Sequence, residues 1–198
     1  MKTDTKKSIL KLAAVISVLA LGGATSALAG TVGGSVTAIN TLGETDHAAI
    51  TIGSSTPGAN NGQTDTIVVD GTIDNNSDTG WKLTVVSTNV GKLKKGSGGA
   101  GREILYTNVK FVATGAGTLG AGLTAPNQNK DITTGNGDTG ASAGTIIFNT
   151  GSAVGTHGTA TTATVGYAYA LKISWSSDLT LLAGSYTDTL SLTLANDP

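Results

Sequence analysis

Two stretches of this chain carry side-chain oxygens that could gather around a hard cation. "DGTIDNNSDTG" offers Asp70, Asp74, Asn76 and Asp78, and "NQNKDITTGNGDTG" offers Asn127, Asp131, Asn136 and Asp138. Ca2+ takes oxygen ligands from loops of this composition, and extracellular modules often bind it weakly. The spacing is not that of an EF-hand. Asx side chains also bond to nearby backbone and favour turns with no metal present. Both stretches therefore read equally well as turns, and the first four residues stand as the calcium candidates.

Other chemistry is sparse. There are two histidines, His47 and His157, and no cysteine. Both histidines are expected at the surface. "GAGTLG" (115–120) spells a dinucleotide-binding loop, which needs a strand before it and a helix after it. Here "AGLTAPN" follows, a poor helix. "GASAG" (140–144) spells a nucleophile elbow, which needs a strand–turn–helix and later His and acid partners. In a chain with 29 glycines such spellings arise by accident. No acid/base or nucleophile pair stands out, so the expectation is a non-enzymatic protein with no cofactor beyond the calcium candidate.

The elements that position these residues read as strands. In "VGYAYALKISW", Val165, Tyr167, Tyr169, Leu171, Ile173 and Trp175 alternate strictly with smaller or polar residues, the period of a half-buried strand. "GWKLTVVST" puts Trp81, Leu83 and Val85 on one face. "EILYTNVKFVAT" has Leu105, Val109 and Phe111 in one parity, with Ile104 and Tyr106 opposite. Further strands are expected at 65–73, 48–53, 31–39, 144–149 and 185–195. Between them lie Gly/Ser/Asn-rich loops, the longest at 115–144, which could hide a short strand, cover a sheet edge or form a contact surface. Lys92, Lys94 and Lys95 beside "GSGGAG" read as a solvated hairpin tip. The fold class is all-β: an antiparallel β-sandwich, Ig-like or pilin-like, of about seven to nine strands.

Residues 1–29 read as a secretory signal peptide rather than fold. Lys2, Lys6, Lys7 and Lys11 flank or precede an apolar run at about Leu12–Leu21, and Ala27-Leu28-Ala29 makes a small-x-small cleavage site. Removing them takes four lysines and one aspartate from 12 basic and 13 acidic residues, leaving 8 and 12, a net charge of −4. Residues 30–198 are expected to form one domain. Mild acidity without a basic cluster argues against nucleic acid and anionic membrane as partners. The absence of cysteine excludes disulfides and a lipidated Cys after the leader, and no membrane anchor is expected in the mature form.

Two segments resemble exported bacterial β-sandwich proteins. "DNNSDTGWKLTVVSTNVGKL" (74–93) is similar to one of their strands, and "LAGSYTDTLSLTLANDP" (182–198) to their closing strand. One resemblance is to the WxL surface domain, whose first Trp-x-Leu would be Trp81-Lys82-Leu83. The place of the second reads Leu190-Ser191-Leu192 or Leu192-Thr193-Leu194. That family implies peptidoglycan binding. The other resemblance is to fimbrial subunits and their spore-coat-like relatives, which implies a subunit of a surface fibre.

In the closing strand Gly184 permits a positive-φ turn, and Tyr186 can bury its ring and bond its hydroxyl to backbone. Asp188 shares parity with Leu190, Leu192 and Leu194, and is expected exposed at the strand's start. The expected function is a secreted structural protein at the cell surface, a subunit of a filament, fimbria or coat. Its partners would be further copies or neighbouring surface proteins, with an extended terminus completing the next subunit's sheet. Residues 30–42, with Val32, Val36 and Ala38 alternating, suit that donor role and equally an ordinary first strand. The alternative is a module that binds cell-wall glycan or carbohydrate.

Overall fold

The computed structural model describes residues 36–46, 62–126, 129–135, 141–151, 158–176 and 180–197. The leader, Val32, the expected strand at 48–53, both histidines, Asn127, Asn136 and Asp138 lie outside them. Among the described residues there is no helix, and nine strands follow in chain order. They are β1 (Asn40–Asp46), β2 (Gln63–Asn75), β3 (Trp81–Ser87), β4 (Lys92–Lys94), β5 (Glu103–Ala113), β6 (Asn129–Lys130), β7 (Thr145–Asn149), β8 (Thr164–Trp175) and β9 (Leu190–Asn196).

Every pairing is antiparallel. The larger sheet runs β1-β2-β8-β5-β4, with β6 also on β5, and the smaller runs β7-β3-β9. Both sheets turn their apolar faces to one core. Trp81, Leu83 and Val85 of β3 are fully buried there, with Ile146 and Phe148 of β7 beside them. Tyr167, Tyr169, Leu171, Ile173 and Trp175 of β8 face them from the other sheet. Aromatic rings bridge the gap. Phe111 stacks on Tyr169 with centroids 5.3 Å apart and meets Phe148 at 5.6 Å, while Trp81 lies 6.1 Å from Tyr167. Tilted and offset pairs at such distances add to what area burial alone contributes.

Three expectations for the strands need correction. Val165 is 58 % exposed, not part of the core face. Gly166 follows it at φ 55°, donating its N–H to Asp74 Oδ1 at 2.7 Å, and this irregularity turns Val165 outward. In β5 the two opposed parities both reach the core. A register shift between Tyr106 and Asn108 lets Ile104 and Tyr106 point inward before it and Val109 and Phe111 after it, while Leu105 is 53 % exposed. One extra residue in a strand inverts its alternation. At the N-terminal side, residues 36–39 are not strand; the first strand begins at Asn40 and pairs with β2.

The long 115–144 stretch holds β6 and a bridge from Thr118 to Val165. Leu119, Leu123 and Ala125 pack on the core from it, and Ile132 is fully buried. Lys130 is buried as well, its ammonium 5.8 Å from the centre of the Phe148 ring, a cation–π contact. The lysine-rich hairpin is less detached than a free tip. Lys92 pairs with Glu103 at 2.9 Å, and Lys95 Nζ donates to the Ala183 carbonyl. The Glu103 carboxyl is held below its ordinary pKa, first by the Lys92 hydrogen bond and then by the Gly99 N–H.

Candidate functional site

The calcium candidates do not converge. Asp70 and Asp74 are four residues apart on the extended β2, about 13 Å at the rise of a strand. Asp74 is taken up by Gly166, as above. Asn76 serves the backbone of its own chain: its Oδ1 accepts from Ile39 N–H at 2.7 Å and its Nδ2 donates to the Thr37 carbonyl at 2.9 Å. Asp78 is exposed on the β2–β3 turn. In the second stretch, Asp131 accepts from the Thr133 hydroxyl and N–H, an Asx turn. The Thr133 hydroxyl is the main cause holding that carboxyl below its usual range. Among the described residues no group of three or more His, Cys, Asp or Glu is placed to hold a metal ion.

What the structure does gather lies along β9. Thr88 N–H donates to the Thr189 carbonyl at one end of the β3–β9 ladder, and Asp197 N–H to the Gly80 carbonyl at the other. Alternation between these ends means that Ser191, Thr193 and Ala195 bond to β3. The main-chain groups of Leu190, Leu192, Leu194 and Asn196 then point away from it, along an edge. Among the described residues β9 pairs only with β3. The side chains of Leu190, Leu192 and Leu194 turn to the core but are only half-buried. On β7, the other edge of the same sheet, Ile146 and Phe148 are completely covered.

Two clusters fix the ends of this strand. At its start, Asp188 accepts four hydrogen bonds: Ser87 Oγ at 2.6 Å, Tyr106 OH at 3.0 Å, Asn89 N–H at 2.9 Å and Thr189 N–H at 2.8 Å. The carboxylate is half-buried rather than exposed, and strand pairing with β3 begins only at Leu190, not 185. Burial, reinforced by the Asp188 charge and hydrogen bond, pushes the Tyr106 phenol well above its ordinary pKa. Before it, Gly184 sits at φ 141° and Tyr186 OH lies 2.7 Å from the Leu182 carbonyl and 2.8 Å from that of Gly101. Thr187 bridges Lys94 of β4 in both directions, closing that edge.

At the far end three asparagines join the sheets. Asn75 Nδ2 donates to Asn196 Oδ1 at 2.8 Å and lies 3.2 Å from Asn40 Oδ1. Asn40 Nδ2 donates to the Leu194 carbonyl at 3.2 Å. The Asn76 clamp on Thr37 and Ile39 is adjacent, so residues 37–39 carry the line of β1 past its first paired residue at the end where Asn196 lies. On this segment Val36 is 88 % exposed, and Ala38 and Ile39 are exposed too.

Of the residues singled out in the sequence, Trp81, Leu83 and Trp175 belong to the core, and Leu190 and Leu192 to the half-covered edge. Asp188 and the asparagine cluster carry no motif; only pairing brings Ser87, Tyr106 and Asp188, or Asn40, Asn75 and Asn196, together. No protein-family model, curated protein or solved structure matches this chain.

Proposed function

We propose that this protein is a non-enzymatic, exported structural protein, a subunit of a surface filament, fimbria or coat assembled by β-strand complementation. The observation that carries the reading is the segment before β1. Val36, Ala38 and Ile39 are apolar and exposed, yet the adjoining backbone is clamped to the domain by Asn76. An anchored, uncharged, uncovered apolar segment suits pairing with another chain, since main-chain bonds supply affinity and alternate side chains supply selectivity. Export rests on the leader read in residues 1–29. Glycan binding has less support, because both tryptophans are buried and neither can stack on a sugar.

The test is to express the full chain with its leader, recover the exported protein, and compare it with a variant lacking residues 30–38. Electron microscopy and size exclusion are expected to give filaments or large oligomers from the first and monomer from the second. A strict monomer at high concentration, unchanged by the deletion, would overturn the reading.

A further inference from the structure

An assembling subunit needs an acceptor as well as a donor, and among the described residues the sheet edges are not equivalent. The β4 edge is closed by Thr187. On β1 the paired row places an exposed glutamate, Glu44, beside Gly71, and charge on an edge opposes strand addition. The core-facing residues of β7, Ile146 and Phe148, are already completely covered, so an added strand would bury nothing there. Among the described residues only β9 combines outward main-chain groups with core-facing leucines that the protein leaves half-covered; the Leu194 carbonyl already accepts from Asn40 Nδ2, so the open part of the edge is at Leu190 and Leu192. From Thr189 to Asn196 it carries no charged residue.

Resting on the proposed assembly, we infer that the β9 edge accepts residues 30–36 of a second copy as an added strand. Length matches: seven residues against the seven of β9. Pattern matches as well. Val32, Gly34 and Val36 would lie over the seam beside Leu190, Leu192 and Leu194, and Ser35 would lie on the outer face opposite Ser191 in an antiparallel pairing or opposite Thr193 in a parallel one. No charge in residues 30–36 opposes burial against the leucines.

The absence of native cysteine makes the test direct. Cysteine is introduced at Ser35 of the donor (Ser35→Cys) and at one outer-face position of the acceptor, Ser191→Cys for an antiparallel added strand and Thr193→Cys for a parallel one. Each acceptor position is exposed, so these changes leave the core intact. Directly opposed residues on neighbouring strands fall within the Cα separation a disulfide requires. Oxidation of the exported, assembled protein is expected to give a ladder of disulfide-linked multimers only when both positions carry cysteine. A control pair with Thr145→Cys on β7 is expected to give none. Assemblies that form normally but cross-link through β7, or not at all, would overturn the β9 assignment while leaving assembly itself standing. Cross-linked protein that stays monomer-sized would also overturn it, by placing the segment on its own domain. Failure of every version to assemble would overturn the proposed function together with this inference.

Discussion

Asp188 is the side chain on which most of the β9 lead-in depends. It takes hydrogen bonds from Ser87, Tyr106, Asn89 and Thr189, so that one carboxylate ties β3, β5 and the β3–β4 turn to the last strand. Bonds to a charged acceptor contribute about 1.5–3 kcal/mol, and buried donors left without a partner cost more. Asp188→Ala is therefore expected to lower stability by about 3 kcal/mol in urea unfolding, while Tyr106→Phe, which removes one donor and orphans nothing charged, costs about 1 kcal/mol. The turn that Asp188 supports also holds a strained residue. Val90 has φ 57°, a region where a β-branched side chain is an outlier. Its conformation is imposed by Val90 N–H on the Ser87 carbonyl and Gly91 N–H on Ser87 Oγ. Val90 is also well exposed, so little packing is lost on truncation. Val90→Gly is expected to raise stability by about 1 kcal/mol, and an unchanged or lower urea midpoint would show that the turn is not strained as its backbone implies.

At the scale of elements, legibility followed regularity. β3 and β8 are interior strands whose apolar residues alternate, so Trp81-Leu83-Val85 and Tyr167 to Trp175 could be read directly. β1, "NTLGETD", is an edge strand with one apolar core contact, Leu42, and its pairing with β2 leaves no pattern in its own sequence. The Asp188 and asparagine clusters are illegible for a related reason: the bonded pairs Asn40–Asn75, Asn75–Asn196, Ser87–Asp188 and Tyr106–Asp188 stand 35 to 121 residues apart and meet only through register. β5 shows how an irregularity both hides and explains a signal. Its two parities conflict on paper, and the extra residue near Thr107 reconciles them. The same geometry makes a test. Deleting Thr107 brings Ile104, Tyr106, Val109 and Phe111 into one unbroken alternation and one register against Trp175, Ser174 and Ile173. That variant is expected to fold cooperatively, within about 1 kcal/mol of the parent. Deleting Lys110 instead would turn Phe111 outward and break its contacts with Tyr169, Phe148 and Trp81. A loss of about 3–5 kcal/mol, the scale of removing a buried phenylalanine, is expected there. Equal damage from the two deletions would mean that the extra residue is structurally required.

For the whole molecule, the core must supply stability without disulfides, and its aromatic character sets how that stability depends on pH. Burial raises the phenol pKa of Tyr106, Tyr167 and Tyr169, with the Asp188 charge adding to it at Tyr106 and the Glu44 and Asp70 charges at Tyr169. In the unfolded chain a tyrosine loses its proton near pH 10. Above that pH the folded state holds more protons than the unfolded one, so stability is fully present below about pH 10 and falls as pH rises further. The three phenols are expected to ionise together with unfolding: tyrosinate absorbance should rise in the same step in which the fluorescence of the buried Trp81 and Trp175 shifts to that of exposed indole. Within the described residues the hydroxyls of Tyr167 and Tyr169 are buried with no hydrogen-bond partner in the protein. A buried polar group left unpaired costs about 1–3 kcal/mol. Tyr169→Phe should therefore keep the stacked ring on Phe111, raise neutral-pH stability by about 1 kcal/mol, and move the alkaline transition to higher pH. Tyrosines that titrate near pH 10 with tryptophan fluorescence unchanged would show that these phenols reach solvent without unfolding, and that the core is more open than its packing implies.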